Sequence, residues 1–371
     1  MWKKWVGGLL VAAMMTPAAA CLAEGAPAVD PGYKLLAPLY AQVGGGFAYS
    51  PLGLRLAMDM ALEGARGETR AQIIAALSGD EAALEQTAAL SQLRQANAAI
   101  VSPTAMIRPE YEAALREKHN AAIMPMEDDM MTQVNNWAKQ HTDGMIEELL
   151  SEAPDPNIAL MLLNALTFEA DWLYPFEPMN THDSIFHAPS GALSVPFMGM
   201  TSRLDYAKAG SAQAIRLAYD EEELEMVLIL PDEGTLAEVV AQISAEGLGA
   251  LGNFTAEGTV NLALPKMNLE SQLTLNEVLR AVGIVDAFSQ SADFTGISEA
   301  QDLMIDQVLQ KVRIDVDEKG TKAAAATAIA IMPKSAMIFD PIMMHFDRPF
   351  IMLIRDAQNG TLAFAAVVEQ P

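Results

Sequence analysis

The sequence has a single cysteine in 371 residues, Cys21, so no disulfide can staple the chain and its stability must come from packing. Basic residues are scarce as well: 23 Lys and Arg stand against 48 Asp and Glu, a formal net charge of −25. That balance speaks against a nucleic-acid partner and against a basic polysaccharide-binding face, both of which need clustered cations. It suits solubility and would hasten encounters with basic partners. The five histidines, His119, His141, His182, His187 and His345, are scattered, and no HExxH, CxxC or Asp/Asn-rich calcium loop is present. No metal site is expected, and His182 with His187 reads as loop surface rather than as a ligand pair. The Walker loop, GxGxxG and GxSxG are all missing. Nucleotide and hydrolase readings therefore lack a motif, no cofactor is implied, and the chain is not expected to be an enzyme.

Hydrophobic residues make up 51% of the chain and charged residues 19%, the composition of a packed globule. The first twenty residues, "MWKKWVGGLLVAAMMTPAAA", combine Lys3 and Lys4, an apolar stretch from Val6 to Met15 and a small-residue exit at Ala18 to Ala20. They read as an export signal, too short and too early for a stable transmembrane helix. Cys21 follows directly and resembles the lipidated cysteine of a bacterial lipobox, although Ala18 stands where leucine is usual. Signal cleavage beside an incidental cysteine is the alternative. The expected organisation is an export signal over 1–20, a tether over 21–32 with a lipid anchor at Cys21, and one domain over 33–371. The protein would sit at the cell surface or on the membrane if lipidated, and would otherwise be secreted or periplasmic.

No repeat, Gly/Ser linker or charge block divides the body. "SPLGLRLAMDMALEGARGETRAQIIAAL" opens on the cap Ser50 and first-turn Pro51, then sets Leu54, Ala57, Met58 and Ala61 on one helical face. Gly64 ends that helix and another follows. "MTQVNNWAKQHTDGMIEELL" is also expected to be helical, interrupted at Gly144. From about Ala159 strand-like runs take over: "IALMLLNALTF", "LEMVLILP", "TVNLALPKMNLE", "KVRIDVDE", "PFIMLIRD" and "TLAFAAVVEQ", with helices at "TLAEVVAQIS" and "TLNEVLRAVG". Helices first and strands later give an α+β domain. Trp137 and Trp172 read as packing anchors.

Six segments resemble one family in order and spacing. They are "FAYSPLGLRLAMDMALEGARGETRAQI", "LLNALTFEADWLYPF", "MVLILP", "PKMNLESQLTLNEVLRAVGIVDAFSQSADFTGIS", "DEKGTKAAAATA" and "FDRPFIMLI…TLAFAAVVEQP". From about Tyr33 to Pro371 the chain is similar to a serpin. The resemblance implies three β-sheets, about nine helices and an exposed reactive loop near the C-terminus. It also implies a metastable native state, because serpin loop insertion is an established instance of strand addition to a sheet.

The loop's first half, Glu318, Lys319, Gly320, Thr321, Lys322, Ala323, Ala324, Ala325, Ala326 and Thr327, would be the hinge of that insertion. Thr321 to Lys334 is 14 residues, on the order of 45 Å when extended at roughly 3.3 Å per residue. One face would carry Thr321, Ala323, Ala325, Thr327, Ile329 and Ile331, none of which strands a charge beneath a sheet. A dozen new backbone hydrogen bonds at about 0.5–1.5 kcal/mol each would give on the order of 10 kcal/mol. Gly320 is expected to supply the backbone freedom for the turn inward. Without the resemblance an Ala-rich surface helix is the simpler reading, because alanine is the best helix former. That helix would have almost no polar face, and Ile329 and Ile331 are spaced for a strand.

In the family register the reactive bond falls at Lys334–Ser335. A trypsin-like serine protease would be the partner, held as a covalent acyl-enzyme complex. A slipped register would place the bond at Met332 or Met337 and favour chymotrypsin- or elastase-like enzymes. The family's sheet-opening cluster of Asn, Ser, Ser, Asn and His maps to Gly46, Ser50, Gly53, Asn164 and Gln310, and Trp172 matches the tryptophan where insertion begins. The chain departs from that pattern at Gly46, Gly53 and Gln310, which implies altered opening energetics. A monomer prone to loop–sheet polymerisation is expected. The alternative is a non-inhibitory serpin acting as a binding or chaperone-like module.

Overall fold

The computed structural model describes residues 29–77, 92–220, 223–256, 258–299, 303–321 and 341–371. Asp30 caps a 3-10 turn, Pro31–Leu35, by accepting a hydrogen bond from the Gly32 amide at 2.7 Å. Regular structure thus begins two residues before the expected domain start. Helix α1 (Leu36–Val43) follows and ends on Gly44, whose φ of 69° needs glycine. Ser50 then caps α2 (Pro51–Gly64), its Oγ accepting from the Gly53 amide at 2.9 Å. The other helices are α3 (Gly67–Leu77), α4 (Pro109–His119), α5 (Met130–His141), α6 (Leu236–Glu246) and α7 (Asn276–Ala281). The described residues therefore hold seven α-helices, against an expectation of about nine.

The strands form three sheets, as a serpin-like chain should. The largest runs β3 (Ala122–Pro125), β2 (Leu93–Val101), β4 (Leu160–Phe168) and β13 (Gln307–Val316), with β12 (Met267–Thr274) along the far side of β13. Two short strands close its upper end: β5 (Ala170–Asp171) and β14 (Gly320–Thr321). The second sheet is antiparallel throughout: β1 (Phe47–Tyr49), β17 (Leu362–Val368), β16 (Phe350–Asp356), β10 (Leu224–Pro231), β9 (Ala212–Ala218) and β8 (Tyr206–Ala209). The third holds β15 (Ile342–His345), β11 (Thr259–Pro265), β7 (Gly191–Arg203) and β6 (His182–Ala188). Strands β4, β10 and β17 are buried at every position, which is why they read as unbroken apolar runs.

Two expectations need correction. "TVNLALPKMNLE" is not one strand: Lys266 separates β11 from β12, which belong to different sheets. The helix expected through "MIEELL" ends at His141. Asp143 (φ 50°) and Gly144 (φ 80°) turn the chain out of the helix. The Asn135 side chain then satisfies the Leu149 and Leu150 amides, at 2.8 Å each.

Helix α2 also carries Arg55, Asp59 and Glu63 at four-residue spacing, a charged stripe in a buried helix. Glu63 is met from α4 by Lys118 at 2.9 Å and His119 at 3.2 Å. Asp59 is buried, and its Oδ1 has no hydrogen-bond partner among the described residues.

Candidate functional site

The site sits where β4 and β13 meet. These strands run parallel and pair directly over seven positions, from Met161 with Gln307 to Thr167 with Arg313. Above Thr167 they diverge, and β14 fills the gap. Thr321 pairs antiparallel with Val316 on one side and Ala170 on the other, and Gly320 pairs with Asp171. The chain just before residue 322 is thus already seated as a strand between the two halves of the large sheet.

Local chemistry holds it there. The Asp317 carboxylate accepts from the Lys319 amide at 2.8 Å and shapes the turn from β13 into β14. The segment after β5 fastens that turn from the side: Trp172 N donates to Lys319 O at 2.7 Å and Phe176 N to Glu318 O at 2.8 Å. Trp172 Nε1 donates to Asp317 O at 3.0 Å, and the indole stacks on Tyr219 with centroids 4.6 Å apart. Tyr219 shares a 2.8 Å hydrogen bond with the buried Thr321 hydroxyl. Burial lifts the Tyr219 phenol well above its ordinary range, so it stays protonated. Glu318 is buried too, paired with Lys266 at 2.6 Å and accepting from Thr181 Oγ1 at 2.8 Å. Burial alone would raise its carboxyl, but hydrogen bonds from Lys266, its own amide and Thr181 outweigh that and hold it below the usual range.

In this conformation Gly320 is constrained by its neighbours. Its φ is not in the left-handed region; the constraint is space. A Cβ there would lie 2.7 Å from Asp171 Cα and collide with the Ala170 carbonyl. Glycine lets this strand lie flat against β5.

Midway down the seam lies a buried polar chain. Gln310 Nε2 donates to Ser50 O at 2.9 Å and to Asn164 Oδ1 at 2.8 Å, while its Oε1 accepts from Ser50 N at 2.8 Å. Asn164 Nδ2 donates to Asn97 Oδ1 on β2 at 2.7 Å, and Ser50 Oγ donates to Ala363 O at 2.7 Å. One connected network thus ties α2, β2, β4, β13 and β17 together.

The family model described as "Serpin (serine protease inhibitor)" matches residues 30–371. The chain belongs to the serpin family. An uncharacterized serpin-like protein of Thermococcus kodakarensis is 32% identical over 343 residues, covering 87% of this chain and 80% of that protein. Intracellular coagulation inhibitor 2 of Tachypleus tridentatus is 30% identical over 352 residues, with 88% and 86% coverage. The solved native state of the thermophilic serpin Tengpin superposes with a TM-score of 0.81 at 27% identity, covering 92% of this chain and 94% of that one.

Within this serpin, Ser50, Asn164 and Gln310 lie together, and Trp172 packs with Glu318, Lys319, Gly320 and Thr321, four of the residues expected to form the hinge. Gly46 does not join the polar chain: a Cβ there would meet Glu369 and Val367, at the end of β17. Gly53 does border it, and its Cβ would lie 2.5 Å from Asn164 Oδ1, so glycine leaves room for the Gln310–Asn164 bond. Asn97 was missed by sequence reasoning. A lone amide in the apolar run "ANAAIV" was the signal available. Lys322, Ala323, Ala324, Ala325, Ala326, Thr327, Met332, Lys334, Ser335 and Met337, like Cys21, lie outside the described residues.

Proposed function

We propose that this serpin is an irreversible inhibitor of trypsin-like serine proteases, cleaved at Lys334–Ser335 and acting by insertion of its loop between β4 and β13. The observation that carries the reading is the seated hinge, Thr321 held antiparallel between Ala170 and Val316. Continuing that register down the seam sets Ala323 between Phe168 and Ile314 and Ala325 between Leu166 and Val312. Thr327 arrives between Asn164 and Gln310, the pair already opposite one another across the seam. Phe168, Leu166, Ile314 and Val312 belong to one closed core, which favours small inward residues at 323 and 325. A hydroxyl arrives where the polar chain would need a new partner. The inserted strand replaces one parallel ladder with two antiparallel ones, so the hydrogen-bond gain is the net of the two.

In the first step the protease serine oxygen bonds to the Lys334 carbonyl carbon. The Lys334–Ser335 C–N bond breaks, and the Ser335 nitrogen leaves as a protonated amine, which gives an ester to the enzyme. Insertion of the freed segment distorts the enzyme before water cleaves that ester. Lysine at the cleaved position fits a primary pocket with a carboxylate at its base. The name of the Tachypleus relative fits inhibition rather than a passive binding module. Export with lipid attachment at Cys21 belongs to the same proposal, and the mass of the mature N-terminal peptide tests it.

Mixing the chain with a trypsin-like protease should give a covalent complex that survives denaturing electrophoresis, and Lys334→Glu should abolish it. Clean cleavage without complex would favour the non-inhibitory reading, and undiminished complex from the variant would place the bond elsewhere.

A further inference from the structure

The chain has one Asn–Gly pair, Asn359–Gly360, and it lies in the turn that joins β16 to β17. Ala357, Gln358 and Asn359 are exposed there, so water reaches the asparagine side chain. Gly360 has a φ of 80°, which glycine adopts without strain, and no side chain shields its nitrogen. The turn is closed by Asp356 N donating to Thr361 O and Gly360 N to Asp356 O, at 3.0 Å each.

The Asn359 amide is gripped at both ends. Thr361 N donates to its Oδ1 at 2.8 Å, which folds the side chain back over the Gly360 peptide and withdraws electron density from its Cγ. Its Nδ2 donates to Asp356 Oδ2 at 2.9 Å, while Asp356 Oδ1 accepts from the Gln358 and Asn359 amides at 2.8 and 2.9 Å. A largely buried cation lies behind the turn. Arg355 reaches Glu225 Oε1 through Nε and Nη2, at 2.7 Å each, and a Cβ on Gly360 would lie 3.4 Å from its Nη1. A polarised side-chain carbonyl, an unshielded glycine nitrogen and a fixed positive charge are thus brought to one place.

We propose that Asn359 is a self-modifying site, at which the fold promotes loss of the side-chain amide and so times the stability of the native chain. Gly360 N gives up its bond to Asp356 O and bonds to Asn359 Cγ. The Cγ–Nδ2 bond breaks, and the proton from Gly360 N departs with Nδ2 as ammonia. Thr361 N and the Arg355 guanidinium stabilise the negative charge that develops on Oδ1 and on the attacking nitrogen. Water then opens the cyclic imide, at Cγ to give aspartate or at the main-chain carbonyl carbon to give isoaspartate. Aspartate sets a second carboxylate where Nδ2 had donated to Asp356, so a hydrogen bond becomes a repulsion. Isoaspartate adds a carbon to the backbone of a tight turn. The two strands joined there are core strands of the second sheet, and Ala363 O of β17 accepts from Ser50 Oγ, so a loosened turn weakens the packing under α2. The reaction needs no protease and stands apart from the inhibitory reading.

The test ages the full chain at pH 8 beside a synthetic peptide spanning residues 352–368. Ammonia release, the mass of the fragment holding residue 359 and its isoaspartate content follow the reaction. Conversion should run about 5-fold or more faster in the folded chain than in the peptide, because the fold has already oriented the reacting groups. A folded chain that converts no faster than the peptide would overturn the proposal, since the turn would then be shielding its asparagine. The parent's melting temperature should fall in step with the converted fraction. That of an Asn359→Ser variant, which has no amide to lose, should hold over the same period. A parent that converts without losing stability, or a variant that loses it at the parent's rate, would overturn the timing role.

Discussion

Two carboxylates set opposite pH dependences in this molecule. Burial pushes Asp59 up to about 7, with Glu63 adding to the rise and Arg55 opposing it. The folded state therefore holds that proton more tightly than the unfolded chain, whose aspartates titrate near 3.8. Stability should fall as pH rises between these values, by on the order of 1.4 kcal/mol per pH unit at the steepest. Asp59→Asn should remove the slope and raise the melting temperature above pH 7, and parallel unfolding curves at pH 5 and pH 8 would measure it. Glu318 behaves in the reverse sense. Its folded carboxyl is held below the ordinary 4.5, so its contribution is present above that value and disappears as pH falls through the folded one. Glu318→Gln should destabilise the seated hinge at pH 7, seen as faster proteolysis near Thr321, and should match the parent in strong acid.

At the level of elements, the seam between β4 and β13 is held by seven backbone pairs and the Gln310 network beside them. Gln310→Ala would strip Ser50 N and Asn164 Oδ1 of their partner in a dry interior. The native chain should lose about 2–3 kcal/mol. A lower first transition in denaturant unfolding checks this, and an unchanged midpoint would mean that the network contributes nothing to holding the sheet shut. Gln310 has no proton to exchange near neutral pH, so the seam itself should not titrate there. Much of this architecture was legible beforehand, because Ser50-Pro51, the buried run of β4 and the hinge motif announce themselves locally. Asn97 was not, because its role depends on a register between β2 and β4 that no local pattern reveals. The end of α5 was hidden for a related reason: Asn135 reaches across to cap the segment that leaves the helix. The steric need for glycine at 320 was hidden too, since the Ala170 carbonyl that a Cβ would strike is a neighbour invisible in one dimension.

Considered as a whole, the molecule has β4 and β13 paired directly in its large sheet, and on the proposed mechanism its own chain would add a strand between them. On the proposed mechanism, cleavage after Lys334 would free that sequence, and its dozen new hydrogen bonds, less those of the β4–β13 ladder it displaces, would leave a net gain on the order of 5 kcal/mol. The cleaved chain should melt higher than the intact one, by about 5–10 °C in calorimetry. Equal melting temperatures would mean that the sheet had no strand to gain. On the same mechanism a second copy's loop would fit the seam, so heating intact protein at high concentration should yield linear polymers that prior cleavage prevents.

The indole stacked on Tyr219 has a practical corollary. Of four tryptophans, two are at positions 2 and 5 and a third, Trp137, lies on α5 against His141, which leaves Trp172 alone at the hinge. Replacing Trp137 with phenylalanine in a chain starting at Asp30 would isolate one natural fluorophore, whose emission colour and lifetime would follow loop uptake in real time without an attached dye.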